Sequence, residues 1–364
     1  MTDAGMAGEG PPAGDGGVRA MYSRGASVPI QLRTSARQEE QAMFRHTSRW
    51  LAVAGLVSLV LAACSSSAGS YSAPASSEAA GGDPSSDMLA RIQDRGTLVG
   101  YAELDYPPQS IRVEDATRPA TTKCQQDQLT GAEVSGYDIE TNELVAADLG
   151  VEPCFARPTW AEVTGGNWGD RWDIAYGSGS INADRMTRLW MTQPYYATPN
   201  RFFVRADSPI QAAAELSGKE VGSCASCTHE AYLKRELVIP GVELTFAVDD
   251  PEIVVFETER PGLQAVADGE IDAFLCAEPV GEAMIDEGVA LRALDPPAFT
   301  FFPSGFVDKS SAYDQTAFVD RVTGIINARH ADGSLKALSE EWFGVDYASE
   351  AAAFDLSSIG QELP

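Results

Sequence analysis

Three observations predict an α/β fold: short apolar runs alternate with stretches of helical spacing from Met88 onward, hydrophobic residues make up 44% of the chain, and glycines punctuate the segments. Thr97–Ala102 (TLVGYA) is strand-like, and Ile139–Leu149 has helical spacing with Gly150 placed to end it. Trp172–Tyr176 reads as a second short strand. Phe202–Arg205 (FFVR) reads as a strand, followed by a helix-like AAAEL and the strand EVGS. PGLQAVADGEIDAFLC reads as a helix, a stop at Gly269 and a buried strand. Phe318, Val319, Val322, Ile325 and Ile326 share one helical face, and an ADG turn with a short LSEEWFG helix follows. No repeat of solenoid period is present.

At 364 residues the chain is long enough for two domains. Its 53 acidic against 26 basic residues give a formal net charge of −27, which disfavours nucleic acid and anionic lipid headgroups as partners. In MFRHTSRWLAVAGLVSLVLAAC, two arginines precede an apolar run, Leu51 to Ala63, that is too short to span a bilayer. It reads as a secretory signal over residues 43–63, after an unstructured extension at 1–42. Leu61-Ala62-Ala63-Cys64 resembles the lipobox of bacterial lipoproteins, which makes Cys64 the expected lipid anchor. Residues 64–87 are a Ser/Ala/Gly-rich tether that cannot bury enough apolar surface to fold.

Of six cysteines, five remain after Cys64, so at most two disulfides form. Cys124 and Cys154 flank the first helix region and are the favoured pair. Cys224 and Cys227 form a CxxC at a strand-to-helix turn, expected to close a local bridge, with Cys276 as the alternative partner for either. A metal would need more donors than Cys224, Cys227 and the nearby His229, so neither metal nor cofactor is expected. His229 and His330 are the only histidines after Cys64, and no nucleophile, base and orienter constellation is visible. The expectation is therefore not an enzyme.

GSGSINADRM, residues 177–186, joins small residues to a single arginine, a combination suited to holding an anion. Together with RIQDRGTLVGYAELDYPP, VSGYDIETNELVAADLGV, TQPYYATPNRFFVR, LSGKEVGS, DGEIDAFL and ADGSLKALSEEWFGVD, it resembles the bacterial extracellular solute-binding proteins of the polar amino acid type, family 3. The resemblance runs from about Met88 to Asp346. It implies a two-lobed periplasmic-binding-protein type II fold, a flytrap with two crossover strands near Phe202–Arg205 and Phe299–Gly305. Residues 88–202 and 299–346 would form lobe 1, 203–298 lobe 2, and 347–364 a C-terminal tail. It also implies a monomer on the extracytoplasmic face of the cell membrane, held there by its lipid and serving an ABC permease and its ATPase.

By the same resemblance Ser180 and Arg185 clamp the ligand's α-carboxylate, and the Ser178 carbonyl accepts from its ammonium. Tyr106 and Trp160 cover its side chain, Glu103 meets its distal group, and Cys227 and Thr228 complete the carboxylate site from lobe 2. One departure stands out: where relatives place an aspartate after the DAFL-like strand, this chain has Ala277. Glu278 follows one residue late and would point the other way along an extended segment. The expected ligand is a small carboxylate-bearing solute, an amino acid or derivative. The competing readings are a ligand-sensing receptor domain acting with a partner in trans and a dehydratase-like enzyme on the same fold.

Overall fold

The computed structural model describes residues 86–361. The signal segment, Cys64 and most of the tether lie outside the described residues. Among the described residues, no helix is long and apolar enough to cross a membrane.

The chain builds two α/β lobes. In the first, the strand Thr97–Tyr101 pairs parallel with Glu152–Ala156, which pairs antiparallel with Leu129–Thr130. Leu189–Pro194 pairs antiparallel with Ser304–Asp308 beside them. The helices Met88–Arg95, Tyr137–Leu149, Thr316–Ala331 and Ser334–Phe343 pack around these strands through Ile92, Val145, Phe318, Val322, Ile326 and Leu335, all buried in one core. Gly96 and Gly150 end their helices in the left-handed conformation, Gly150 as its position in the sequence predicts.

The second lobe is a six-stranded sheet. Glu252–Phe256, Glu220–Cys224 and Ala273–Ala277 run parallel, and Thr198–Arg205 pairs antiparallel with Ala273–Ala277, Leu291–Ala293 and Phe299–Phe301. The helix Glu259–Asp268 stops at Gly269, as expected, and covers one face together with Glu278–Asp286. The AAAEL stretch is a 3₁₀ turn, Ala213–Leu216, rather than an α-helix.

The lobes connect where Leu189–Pro194 passes into Thr198–Arg205 and where Phe299–Phe301 passes back into Ser304–Asp308. The first hand-over thus falls at 195–197, earlier than the Phe202–Arg205 expected, which lies inside the second sheet. The end of the chain packs on both connections. Tyr347 O accepts from Ala197 N (2.8 Å), Gln193 Nε2 donates to the carbonyls of Ala351 and Phe354 (3.1 Å each), and the Phe354 ring packs at a tilt against Phe302.

Trp172–Tyr176 is not the ladder strand expected; only Ala175 makes a bridge, to Phe306. The cause is Asp173, a buried carboxylate that accepts from Val99 N (2.8 Å) and pairs with Arg95, so a side chain sits where a strand would offer its carbonyl.

Disulfides join Cys124 to Cys154 and Cys224 to Cys227, and Cys276 is free and buried. The first ties Cys124, in the loop before Leu129–Thr130, to Cys154 in the strand Glu152–Ala156, across a sequence separation of 30. Loop-closure entropy for that length amounts to about 3–4 kcal/mol. A Cys124→Ser, Cys154→Ser double variant should lose about that much stability in urea unfolding, with a larger m-value because the unfolded chain is no longer cross-linked; a loss below about 1 kcal/mol would contradict the assignment.

Candidate functional site

The loop 177–180 is shaped by what packs on it. A Cβ at Gly177 would stand 2.6 Å from the Tyr101 ring, and one at Gly179 2.4 Å from Phe306 and 2.8 Å from Trp160, so only glycine lets these rings approach the backbone. Ser178 holds a positive φ of 54°. Its conformation is fixed by polar contacts: its amide donates to Tyr195 Oη (2.9 Å), its hydroxyl to Asp138 (2.8 Å), and Tyr196 Oη donates to it (2.7 Å). Asp138, buried beneath, also accepts from Tyr195 Oη (2.6 Å), yet burial outweighs these donors and pushes its carboxyl up to about 7.

Asn182 caps the short helix Ala183–Met186, accepting from Arg185 N (2.8 Å), and this aims Arg185 back at the loop. Arg185 is 3% exposed. It donates to the carbonyls of Ser180 (2.9 Å) and Ser226 (3.0 Å) and to Thr228 Oγ1 (3.2 Å), and it lies over the rings of Trp160 and Phe306. All of these acceptors are neutral. Among the described residues no carboxylate pairs with it, because neighbouring Asp184 is taken by Arg188. Burial lowers its pKa to about 10, offset in part by the charge of nearby Asp184, and it remains a cation at neutral pH.

The opposite wall comes from the second lobe. Glu220–Cys224 and Glu252–Phe256 are parallel, with Cys224 level with Phe256, so the segments after both strands emerge at the same sheet edge. One supplies Cys227, Thr228 and His229, the other Glu257, Thr258 and Glu259. Glu259 is buried, and its Oε1 lies 3.2 Å from Cys224 Sγ and 4.0 Å from Cys227 Sγ. Both sulfurs are in a disulfide and carry no proton to donate. Burial first and the charge of Glu103 second push the Glu259 carboxyl up to about 8. His229 is buried and neutral, its pKa lowered to about 3 by burial and by Arg185. Its Nε2 lies 2.7 Å from Asn200 Oδ1, and the amide nitrogen of Asn200 donates to the carbonyls of Thr198 and Phe299. That amide orientation makes Nε2 the protonated nitrogen and leaves Nδ1 as a bare acceptor.

These walls enclose a cavity of about 40 Å³, narrow enough for Arg185 to reach across it. Of the residues expected at a ligand, Glu103, Tyr106, Trp160, Ser178, Arg185, Cys227 and Thr228 all line it. Ser180 does not; its carbonyl holds Arg185 and its hydroxyl accepts from Phe302 N (3.2 Å), so it braces the arginine and the return connection. Glu278 lies elsewhere, paired with Arg201 and accepting from Tyr347 Oη (2.6 Å). Gly177, His229, Glu257, Thr258, Glu259 and Phe301 line the cavity without having been singled out for it. The signal that could have found the acids is the EVGS and EIVVF pair of strand-like runs, each followed by polar residues at what becomes one edge. The site is therefore bipolar, with a buried cation at one end and Glu103, Glu257 and Glu259 around the rest.

A profile of the bacterial extracellular solute-binding proteins, family 3, matches residues 110–345. The L-cystine-binding protein TcyJ of Escherichia coli is 25% identical over 261 residues, covering 71% of this chain and 87% of that protein. The L-arginine-binding protein of Pseudomonas aeruginosa is 22% identical over 246 residues, covering 66% and 89%. Among solved structures, the ancestral amino acid-binding protein AncCDT-1, a precursor of cyclohexadienyl dehydratase, superposes with a TM-score of 0.57 at 21% identity, over 71% of this chain and all of that one. The amino acid ABC transporter substrate-binding protein AbpA of Streptococcus pneumoniae does so at 0.54 and 20%, over 73% and 99%. These structures share the two-lobed type II architecture, and the curated relatives are binding proteins, not enzymes.

Asp138 and Glu259 both hold protons in the folded protein that the unfolded chain releases near pH 4, so the stability they confer is lost as pH rises through about 7 and 8. Over the same range His229, neutral when folded, returns about 0.4 kcal/mol as the unfolded chain finishes losing its imidazole proton. Between pH 6.5 and 8.5 the ligand-free protein should lose on the order of 2–3 kcal/mol, about two-thirds of it through Glu259. Denaturant midpoints across that range test this, and a Glu259→Gln variant with the slope of the parent would refute the assignment.

Proposed function

This chain belongs to the bacterial extracellular solute-binding proteins of family 3, and on that premise we propose that it captures a small solute bearing a carboxylate and an amine, an amino acid or derivative, and delivers it unchanged to an ABC permease. The observation that carries the reading is the Arg185 guanidinium, buried in the inter-lobe cavity with only neutral acceptors. Placing a cation there is costly unless an anion joins it, and a solute carboxylate matches its fork of donors. We place the lobe boundaries at the two hand-overs, so that residues 88–194 with 304–346 form one lobe and 198–301 the other. Arg185 from the first and Thr228 from the second would then grip the same carboxylate, which makes closure depend on the solute.

The backbone amides of Cys227 and Thr228 complete that grip, while Trp160 and Tyr106 flank the aliphatic part. The amine meets the Ser178 carbonyl and the acids Glu103, Glu257 and Glu259, so Glu259 takes the role that the alanine at 277 cannot. An ammonium beside Glu259 stabilises its ionised form, and below about pH 8 binding would expel its proton. Ser180 acts by holding Arg185, and Glu278 by tying the second lobe to Tyr347. Export through the 43–63 signal and lipidation of Cys64 would tether the protein on the extracytoplasmic face, with the 64–87 segment giving it reach to the permease. That arrangement agrees with a family of extracellular proteins.

Titration calorimetry against the standard amino acids, after a thermal-shift screen, tests the reading. Arg185→Ala should weaken the best solute by about 2–5 kcal/mol, at least a thirtyfold loss. In the parent the apparent enthalpy at pH 7 should vary with the buffer's ionisation enthalpy, and Glu259→Gln should remove that dependence. A melting shift that survives Arg185→Ala would overturn the carboxylate role.

A further inference from the structure

Beside the solute cavity lies a group of four donors that solute binding does not explain. One ligand-capable atom each from Cys224, Cys227, His229 and Glu259 falls within 4.8 Å of all the others. Read along the sequence, the CxxC and histidine are one donor short of a cation site; the fold supplies the fourth from the helix start after Glu252–Phe256. Three further features fit a cation. The bare Nδ1 of His229 lies 3.9 Å from Cys224 Sγ. The other ring nitrogen is held by Asn200, whose amide is anchored on the carbonyls of Thr198 and Phe299, the kind of outer partner that orients a ligating imidazole. Glu259 is a buried carboxylate whose neighbours here are these sulfurs rather than a cationic side chain.

We propose that reduction of the Cys224–Cys227 disulfide turns this corner into a Cys₂HisGlu site for a divalent cation of the zinc class. A dithiol reductant would supply two electrons and two protons, its own sulfurs closing into a disulfide as Cys224 and Cys227 become thiols. The cation then displaces both thiol protons and takes two thiolates, the His229 Nδ1 lone pair and one Glu259 oxygen. Two thiolates, an imidazole and a carboxylate form a tetrahedral donor set suited to zinc rather than to magnesium or calcium. Cys227, His229 and Glu259 also line the solute cavity, so the cation and the amine of a solute contend for one carboxylate. The redox state of the CxxC thereby selects which of the two the cleft holds.

Cobalt(II) reports this directly, without any solute. Full-length protein reduced anaerobically with a phosphine and titrated with cobalt(II) should develop thiolate-to-cobalt charge-transfer and tetrahedral ligand-field bands that saturate at one equivalent. The oxidised protein should develop neither. His229→Ala and Glu259→Gln should each weaken binding by about tenfold or more, Asn200→Ala should also weaken it, and Cys276→Ser should leave it unchanged. The proposal is overturned if the reduced protein shows no charge-transfer band, if the band persists in a Cys224→Ser, Cys227→Ser double variant, or if neither His229→Ala nor Glu259→Gln changes the affinity. Loss of near-ultraviolet aromatic dichroism when Cys224–Cys227 is reduced with Cys124–Cys154 intact would overturn it equally, because the site requires the fold that brings Glu259 to the sulfurs. Failure of this test leaves the solute reading intact, since that reading uses the oxidised protein and Arg185.

Discussion

A cation buried without an anion is the constraint around which the cleft is organised. Arg185 is removed from water, and its donors are met by two carbonyls and a hydroxyl rather than by a carboxylate. Neutral acceptors and the faces of Trp160 and Phe306 offset part of the desolvation cost, but they leave the charge uncompensated. Each supporting feature can be traced to this demand. The glycines at 177 and 179 let the rings reach the loop, Asn182 fixes the helix start that aims the side chain, and Ser180 turns its carbonyl to the guanidinium while its hydroxyl receives the return connection at Phe302. Two of the three acceptor residues, Ser226 and Thr228, follow the strand Glu220–Cys224 of the other lobe, so the same charge that would hold a solute also draws the lobes together.

The parts of this site that could be read in the sequence are those in which neighbours in sequence remain neighbours in space. GSGSINADRM is such a stretch: loop, cap and arginine lie within ten residues, and Arg185 does turn back on Ser180. The helix faces of Phe318 to Ile326 and the Gly150 and Gly269 stops were readable for the same reason. Glu257 and Glu259 were not, because their presence at the cleft follows from strand order. Only the parallel pairing of Glu252–Phe256 with Glu220–Cys224 brings the two strand ends to one edge, and nothing local in EIVVFETE announces its partner. Trp172–Tyr176 failed as a strand for a related reason. Its apolar spacing is right, but Asp173 spends its carboxylate on Val99 N and Arg95, a tertiary contact invisible to periodicity.

The connections between the lobes are braced by the C-terminal segment. Both are short, and the chain's last described residues are bonded to them: Tyr347 to Ala197, Gln193 to Ala351 and Phe354, and Gln361 to both backbone groups of Met191. Tyr347 also reaches Glu278, which is paired with Arg201 in the second lobe. Glu278, the first residue of the helix Glu278–Asp286, thus has its carboxylate taken up by Arg201 and Tyr347, away from the cavity.

That displacement accounts for the position of the cleft's acids. Ala277 is fully buried at the end of Ala273–Ala277, within the apolar core of the second lobe and in register with Asn200. A carboxylate at that point would have to displace core contacts beside the Arg201–Glu278 pair. Moving the acid to the start of the neighbouring helix avoids that penalty, because Glu259 stands at a helix N-terminus, where its own amide and the helix dipole favour negative charge, and at the edge of the cavity rather than inside the core. The cost of the move is burial beside Glu103, which keeps the carboxyl protonated to about pH 8. An acid held neutral until a positive charge arrives discriminates for that charge, and the corner it occupies is the one where two sulfurs and a bare imidazole nitrogen already converge.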